Sequence, residues 1–138
     1  MSEQNKAFVR RWFEEVWNQK CVATIDELFA SDAVVHGLGG DRQGPGAFKA
    51  FHSAYCGAFP DLTIRIDDMI AEGDKVAFRW HSTGTHRGDD LGFKATNRPT
   101  AIEGMGIVRV VDGKLVEGWN LFDQAGMMKQ LGLMPETV

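Results

Sequence analysis

The clearest chemical group in this chain is a single carboxylate at the end of an apolar strand. From Gly113 the sequence reads Gly-Lys-Leu-Val-Glu-Gly-Trp-Asn-Leu-Phe-Asp123, and Gln124-Ala-Gly-Met-Met-Lys-Gln-Leu131 follows. Asp112-Gly113 is a tight-turn pair that starts the strand. With side chains alternating between faces, Leu115, Glu117, Trp119, Leu121 and Asp123 share one face. A carboxyl group beside Trp and Leu is a candidate for a raised pKa, and so for acid/base work. The same Asp stands where a helix N-cap belongs, and there a carboxylate accepts backbone N–H groups. Acid/base residue and helix cap are both open on the sequence.

The four histidines are the other groups that titrate near neutrality. His36 ends the short strand Ala33-Val-Val-His36. It donates to a developing oxyanion, or holds Asp123, or bonds a backbone carbonyl at a strand end. His52 falls on an apolar helical stripe and reads as a core-rim residue. His81 and His86 are five residues apart, on opposite faces of a regular strand, and make a poor metal pair. His86, inside Gly84-Thr-His-Arg-Gly88, either points into a pocket mouth or fixes a loop. Trp80 and Trp119 either stack on a flat substrate or fill the core, and Met105 is a further candidate for the pocket wall. Arg79 is expected to pair with Glu103 or Glu117 across strands. No HxH, HExxH or cysteine cluster occurs, and no glycine loop sits at a strand–helix junction to cradle phosphates. The expectation is therefore no metal.

The elements that position these groups follow from periodicity. Phe8, Val9, Trp12, Phe13, Val16 and Trp17 recur at helical spacing, with Ser2 as the expected N-cap. Thr24-Ile-Asp-Glu27 matches a capping box and predicts a short second helix through about Ala30. Gly44-Pro45 opens a third helix, which Phe59-Pro60 stops. Leu62 to about Ala71 and Lys75–Thr83 are strands joined through Glu72-Gly-Asp74. Gly84–Gly92 reads as a bulged strand end and loop. Thr100–Val111 is a long strand paired through Asp112-Gly113 with the Asp123 strand. Three helices, four long strands in a meander and a terminal helix predict an α+β fold: a curved antiparallel sheet wrapped by the N-terminal helices. Such a sheet makes a cone whose mouth is an apolar pocket.

At 138 residues with a formal charge of −4, the chain is expected to be a single domain, residues 1–138, with no linker or repeat. No basic stripe is present to neutralise phosphates, which argues against nucleic acid. No apolar run is long enough to span a membrane. The polar start shows no secretory signal, and Cys21 and Cys56 are isolated thiols; both suggest a reduced, cytoplasmic protein.

Phe59-Pro-Asp-Leu62, Glu72-Gly-Asp74, Arg79-Trp80, Gly84-Thr-His-Arg-Gly88, Arg109, Asp112-Gly-Lys114, Glu117, Trp119, Asp123 and Gln130-Leu-Gly132 occur in one order at tight spacings. This ordered set resembles the SnoaL-like polyketide cyclase family, within the nuclear transport factor 2-like superfamily that also holds ketosteroid isomerase. The resemblance implies a small α+β barrel, often dimeric, with an apolar pocket inside the cone. It also implies cofactor-free intramolecular aldol condensation, or related isomerase or lyase chemistry, on a small apolar carbonyl-rich molecule. Asp123 matches the family's acid/base aspartate, and His36 lies near its pocket histidine. The chain departs from the family after Gly92, where Lys94-Ala-Thr-Asn-Arg-Pro-Thr100 replaces a Thr-Gly turn. Two other readings stay open on the same fold. One is a non-catalytic module that binds a small hydrophobic ligand or dimerises; the other is epoxide hydrolysis, for which the apolar strand face offers few polar groups.

Overall fold

The computed structural model describes residues 2–38 and 40–134. Its element order is α1 (Ser2–Trp12), a π-helical segment (Phe13–Asn18), α2 (Val22–Leu28), β1 (Phe29–His36), β2 (Arg42–Gln43), α3 (Gly44–Ala58), β3 (Thr63–Glu72), β4 (Lys75–Thr85), β5 (Pro99–Val111), β6 (Lys114–Phe122) and α4 (Gln124–Gln130). One six-stranded sheet has the order β2-β1-β6-β5-β4-β3. Helices wrap one face of this curved sheet, which is the expected α+β architecture. The sheet is mixed rather than purely antiparallel, because β1 runs parallel to β6. It also stays open, with β2 and β3 as its edges. None of the described helices is long and apolar enough to cross a membrane.

The first helix continues into a π turn, which widens the ring and re-aims the side chains that follow. Val16 is fully buried, and Phe13 and Trp17 pack into the core. The Val16 carbonyl accepts from His52 Nε2–H at 2.6 Å. Burial pushes the His52 pKa down, so it is a neutral core histidine, as its stripe suggested. Asn18 then reaches the β3 edge. Its Oδ1 accepts from Ile64 N–H at 2.7 Å and its Nδ2 donates to the Ile64 carbonyl at 3.0 Å. One side chain thus occupies an edge position that would otherwise be open to strand pairing. The expected capping box at Thr24 is not formed. Thr24 sits inside α2, and its hydroxyl donates to Glu15 at 2.7 Å.

Both tight turns fall where the sequence put them. Asp112 and Gly113 have positive φ, as a two-residue hairpin requires. Asp61, from the Phe59-Pro-Asp-Leu stretch, accepts from Thr85 N–H at 2.7 Å and from the Thr85 hydroxyl at 2.9 Å. Those bonds, the backbone one foremost, hold its carboxyl below the usual range. Residues 86–98 form the loop expected after the glycine-rich strand end. Arg87 and Gly88 N–H groups cap the last turn of α3 by donating to the Ala58 carbonyl at 2.9 and 3.2 Å.

On β6 the unbroken alternation assumed from sequence does not hold. Arg109 pairs with Glu117 but Val110 pairs with Leu115, so Val116 is an extra residue on β6. A one-residue bulge exchanges the two faces of everything beyond it. Leu115 faces the core, and past the bulge Gly118, Asn120 and Phe122 face inward. Glu117, Trp119 and Leu121 turn to the outer face of the sheet.

Candidate active site

A cavity of about 60 Å³ lies between the concave face of the sheet and the helices. Phe13 and Trp17 from the π-helical segment, Phe51 and Tyr55 from α3, and Trp80 and Phe122 from the sheet make its aromatic wall. The Gly37 turn delivers Leu38 to the same wall. Gly37 has φ +90°, and a Cβ there would lie 2.2 Å from the Asn120 carbonyl oxygen, so only glycine fits.

The polar lining is sparse and neutral: Tyr55, Ser82, Thr100 and Asn120. The Thr100 hydroxyl is committed to the Gly84 carbonyl at 2.9 Å. Asn120 Oδ1 accepts from Trp80 Nε1–H at 3.1 Å, which orients the amide. Its Nδ2 and the Tyr55 hydroxyl have no protein hydrogen-bond partner among the described residues, so both can donate to a ligand. Burial raises the Tyr55 pKa, against the opposing pull of the Arg42 charge, and keeps the phenol protonated. Two neutral donors in an apolar chamber suit a carbonyl oxygen that gains negative charge. Among the described residues, neither a carboxylate nor an imidazole lines this chamber.

The sequence-derived candidates divide accordingly. Trp80 lines the cavity, with its indole packed over Gly104. Asp123 does not: it is exposed at the N-cap of α4, and its Oδ1 accepts from Gly126 N–H at 2.8 Å. It borders an open groove on the outer surface, beside Arg79, Glu103, Met105 and Leu121. The apolar pocket expected around Asp123 is therefore not its surroundings, because the Val116 bulge sends that strand face outward. Trp119 and Met105 share the outer face; Met105 is 63% exposed. His86 is fully buried behind the cavity wall and does not line it. Asn120 and Tyr55 were the residues missed. Tyr55 was visible on the α3 stripe, but the inward turn of Asn120 depends on the bulge.

His36 also lies on the outer face. Its ring stacks on Trp119 at 5.4 Å and is held between Asp41 (Nδ1, 2.8 Å) and Glu117 (Nε2, 2.9 Å). Arg109, not Arg79, is the cross-strand partner of Glu117, at 3.4 Å. Hydrogen bonds to Glu117 and then Asp41 raise the His36 pKa, and the His36 bond in turn lowers that of Glu117. The stabilisation from His36 is full below its ordinary value of 6.5 and is lost as pH rises through the raised folded value. That from Glu117 is present above 4.5 and is lost as pH falls through its lowered folded value. The stability deficit of His36→Gln, read by urea denaturation across pH, should be greatest between these two ordinary values and shrink in alkali. A deficit that does not vary with pH would rule out the charged clamp.

The arrangement has close relatives. The family description "SnoaL-like polyketide cyclase" matches residues 7–131. The chain belongs to the SnoaL-like polyketide cyclase family. Among solved structures, wild-type IdmH from Streptomyces antibioticus, a candidate polyketide cyclase, superposes with a TM-score of 0.82. It is 31% identical, over 94% of this chain and 99% of that one. AclR from Streptomyces galilaeus, a candidate hydroxylase, superposes with a TM-score of 0.87 at 25% identity, over 100% of this chain and 91% of that one. A ketosteroid isomerase-like protein from Catenulispora acidiphila, solved with trimethylamine, shares the fold at 17% identity and a TM-score of 0.77, over 92% of this chain and 93% of that one. No curated protein sequence matches the chain. Membership of the SnoaL-like family accounts for the fold; the fold alone does not name the reaction.

Proposed function

We propose that this SnoaL-like protein is a cofactor-free cyclase-type enzyme that closes a ring in a small, carbonyl-rich, apolar molecule. The observation that carries the reading is the pair of unpartnered neutral donors, Tyr55 Oη–H and Asn120 Nδ2–H, in an aromatic-walled cavity. A carbon between two carbonyls is readily enolised, so the substrate supplies its own nucleophile. In an aldol closure the enol carbon bonds to a second carbonyl carbon of the same molecule, and the enol proton ends on the new alkoxide oxygen. Asn120 stabilises the oxygen that gains charge, and Tyr55, protonated and desolvated, relays the proton. Asp123 serves α4 as its cap. Turnover is tested by following ring closure of a synthetic poly-β-ketone ester against the buffer rate. Binding without acceleration would instead support the non-catalytic ligand-binding module.

We further propose that the protein acts as a homodimer paired through the outer sheet face. Met105 lies opposite Leu121 and Ile107 opposite Trp119, and all four apolar side chains are exposed. A contiguous apolar strip of this kind on a sheet marks an interaction surface. Arg79 and Glu103 flank the strip, and neither has an ion-pair partner among the described residues. In a two-fold pair, Arg79 of one copy meets Glu103 of the other, which satisfies both. Sedimentation equilibrium should give a dimer for the wild type and a folded monomer for Leu121→Lys. A wild type that stays monomeric at micromolar concentration sinks this assembly.

A further inference from the structure

The buried His86 imidazole carries the one fully enclosed side-chain polar atom, Nε2, that lacks a partner among the described residues. Its Nδ1 accepts from Thr96 N–H at 3.0 Å and lies 3.1 Å from the Thr96 hydroxyl. A nitrogen that accepts a backbone N–H carries no proton, so in the neutral ring the proton is on Nε2. That Nε2–H has no hydrogen-bond partner and no exposure. Leaving a buried donor unmade is destabilising, and each such group in a native fold calls for an explanation.

Its position relative to the cavity supplies one. Along β4 the inward row is Val76, Phe78, Trp80, Ser82 and Gly84, and His86 continues it as the chain leaves the strand. Trp80 and Ser82 line the cavity. Gly84 has no side chain, and the Phe59 ring fills the space above it, 3.4 Å from where a Cβ would stand. Phe59 also lines the cavity and packs on the His86 ring at 5.5 Å, with Phe93 on His86 at 5.1 Å. Phe59 thus touches both the cavity and the His86 ring. A cavity of about 60 Å³ is well below the roughly 300 Å³ at which ligand pockets begin. A ring-forming substrate must displace part of the wall.

We propose that the Phe59 ring is the part that yields, and that His86 Nε2–H then hydrogen-bonds a substrate carbonyl oxygen. His86 becomes the third donor of the site, at the end remote from Asn120, and fixes how far the carbonyl chain enters. This rests on the cavity being the ligand site.

The probe is alizarin, a flat quinone. His86→Asn places an amide oxygen where Nδ1 accepts from Thr96 and removes the Nε2 donor. The folded variant should bind alizarin about tenfold or more weakly, the worth of one hydrogen bond to a desolvated donor. In wild-type protein labelled with nitrogen-15 histidine, the Nε2 proton should move downfield as alizarin saturates the site, a readout that holds even if the variant does not fold. Alizarin affinity within about twofold of wild type would overturn the proposal. So would an Nε2 proton, shifted upfield by the phenylalanine faces, that ignores alizarin. If the wild type binds no alizarin at all, the cavity reading falls and takes this inference with it.

Discussion

Asn120→Leu should slow ring closure on the order of a hundredfold to a thousandfold, the cost of removing one donor aimed at a developing oxyanion. Tyr55→Phe, which deletes only the hydroxyl, should fall in the same range for the same reason, with KM nearly unchanged. Asp123→Asn should retain turnover within about twofold, because Asn caps a helix nearly as well as Asp. These three variants separate the two readings that the strand end left open. Asp123 is exposed and engaged with Gly126 N–H, whereas Asn120 faces the chamber with its amide oriented by Trp80. Leu at position 120 also leaves Trp80 Nε1–H without its acceptor, so its stability must be measured beside its rate. Tyr55→Phe carries no such penalty and is the cleaner variant. If Asp123→Asn loses about a hundredfold while Tyr55→Phe and Asn120→Leu stay active, a carboxylate outside the chamber governs the chemistry. The assignment of the site to the cavity would then fail.

Gly104→Val should destabilise the fold by about 3 kcal/mol or more, at or beyond the upper end for overpacking a filled core. Gly104 faces inward on β5, opposite Trp80 on β4. A Cβ there would lie 2.3 Å from Trp80 Cζ2 and 2.8 Å from the Leu121 carbonyl oxygen. Neither neighbour can retreat cheaply: one is a fused ring in the core, the other is backbone within the β5–β6 ladder. Gly106 does the same for Phe78, whose Cζ would be 2.6 Å from a Cβ. These two glycines let large rings lie flat across the strand, and Trp80 so placed gives the cavity an aromatic face. Chemical denaturation gives the cost, and loss of alizarin binding at temperatures where the variant is folded would show that the chamber goes with it. A variant as stable as wild type would mean that Trp80 has room that the packing does not show.

The sequence by itself determined a great deal about this protein. Element types and order followed from periodicity: the aromatic stripes of α1 and α3, the long alternating runs of β4 and β5, and the stops at Phe59-Pro60 and Asp112-Gly113. These signals are local, since a stripe or a turn residue needs only its neighbours to act. The ordered motifs also pointed to the SnoaL-like family, which the match over residues 7–131 shows. Two motif residues make structural contacts: Asp61 ties β4 to the end of α3, and Asp123 caps α4.

The active-site candidates were less legible, and the physical reason is specific. Side-chain direction on a strand is a matter of parity, and a single extra residue reverses it. Val116 is that residue, and what makes it a bulge is the register that β6 adopts against β5 while β1 pairs along its other edge. Nothing in the local sequence marks it, because Leu115-Val-Glu alternates no worse than its surroundings. Trp119 therefore looked like pocket wall and Asp123 like the pocket's carboxylate, and Asn120 was not singled out. His36 went the same way, carried to the outer face by its parallel pairing with β6. The π turn at Phe13–Asn18 is likewise invisible to a helical periodicity count, yet it sets where Trp17 and Asn18 reach. The chain carries its elements and its family in local pattern, while the inside and outside of its last strand are decided only when the sheet is assembled.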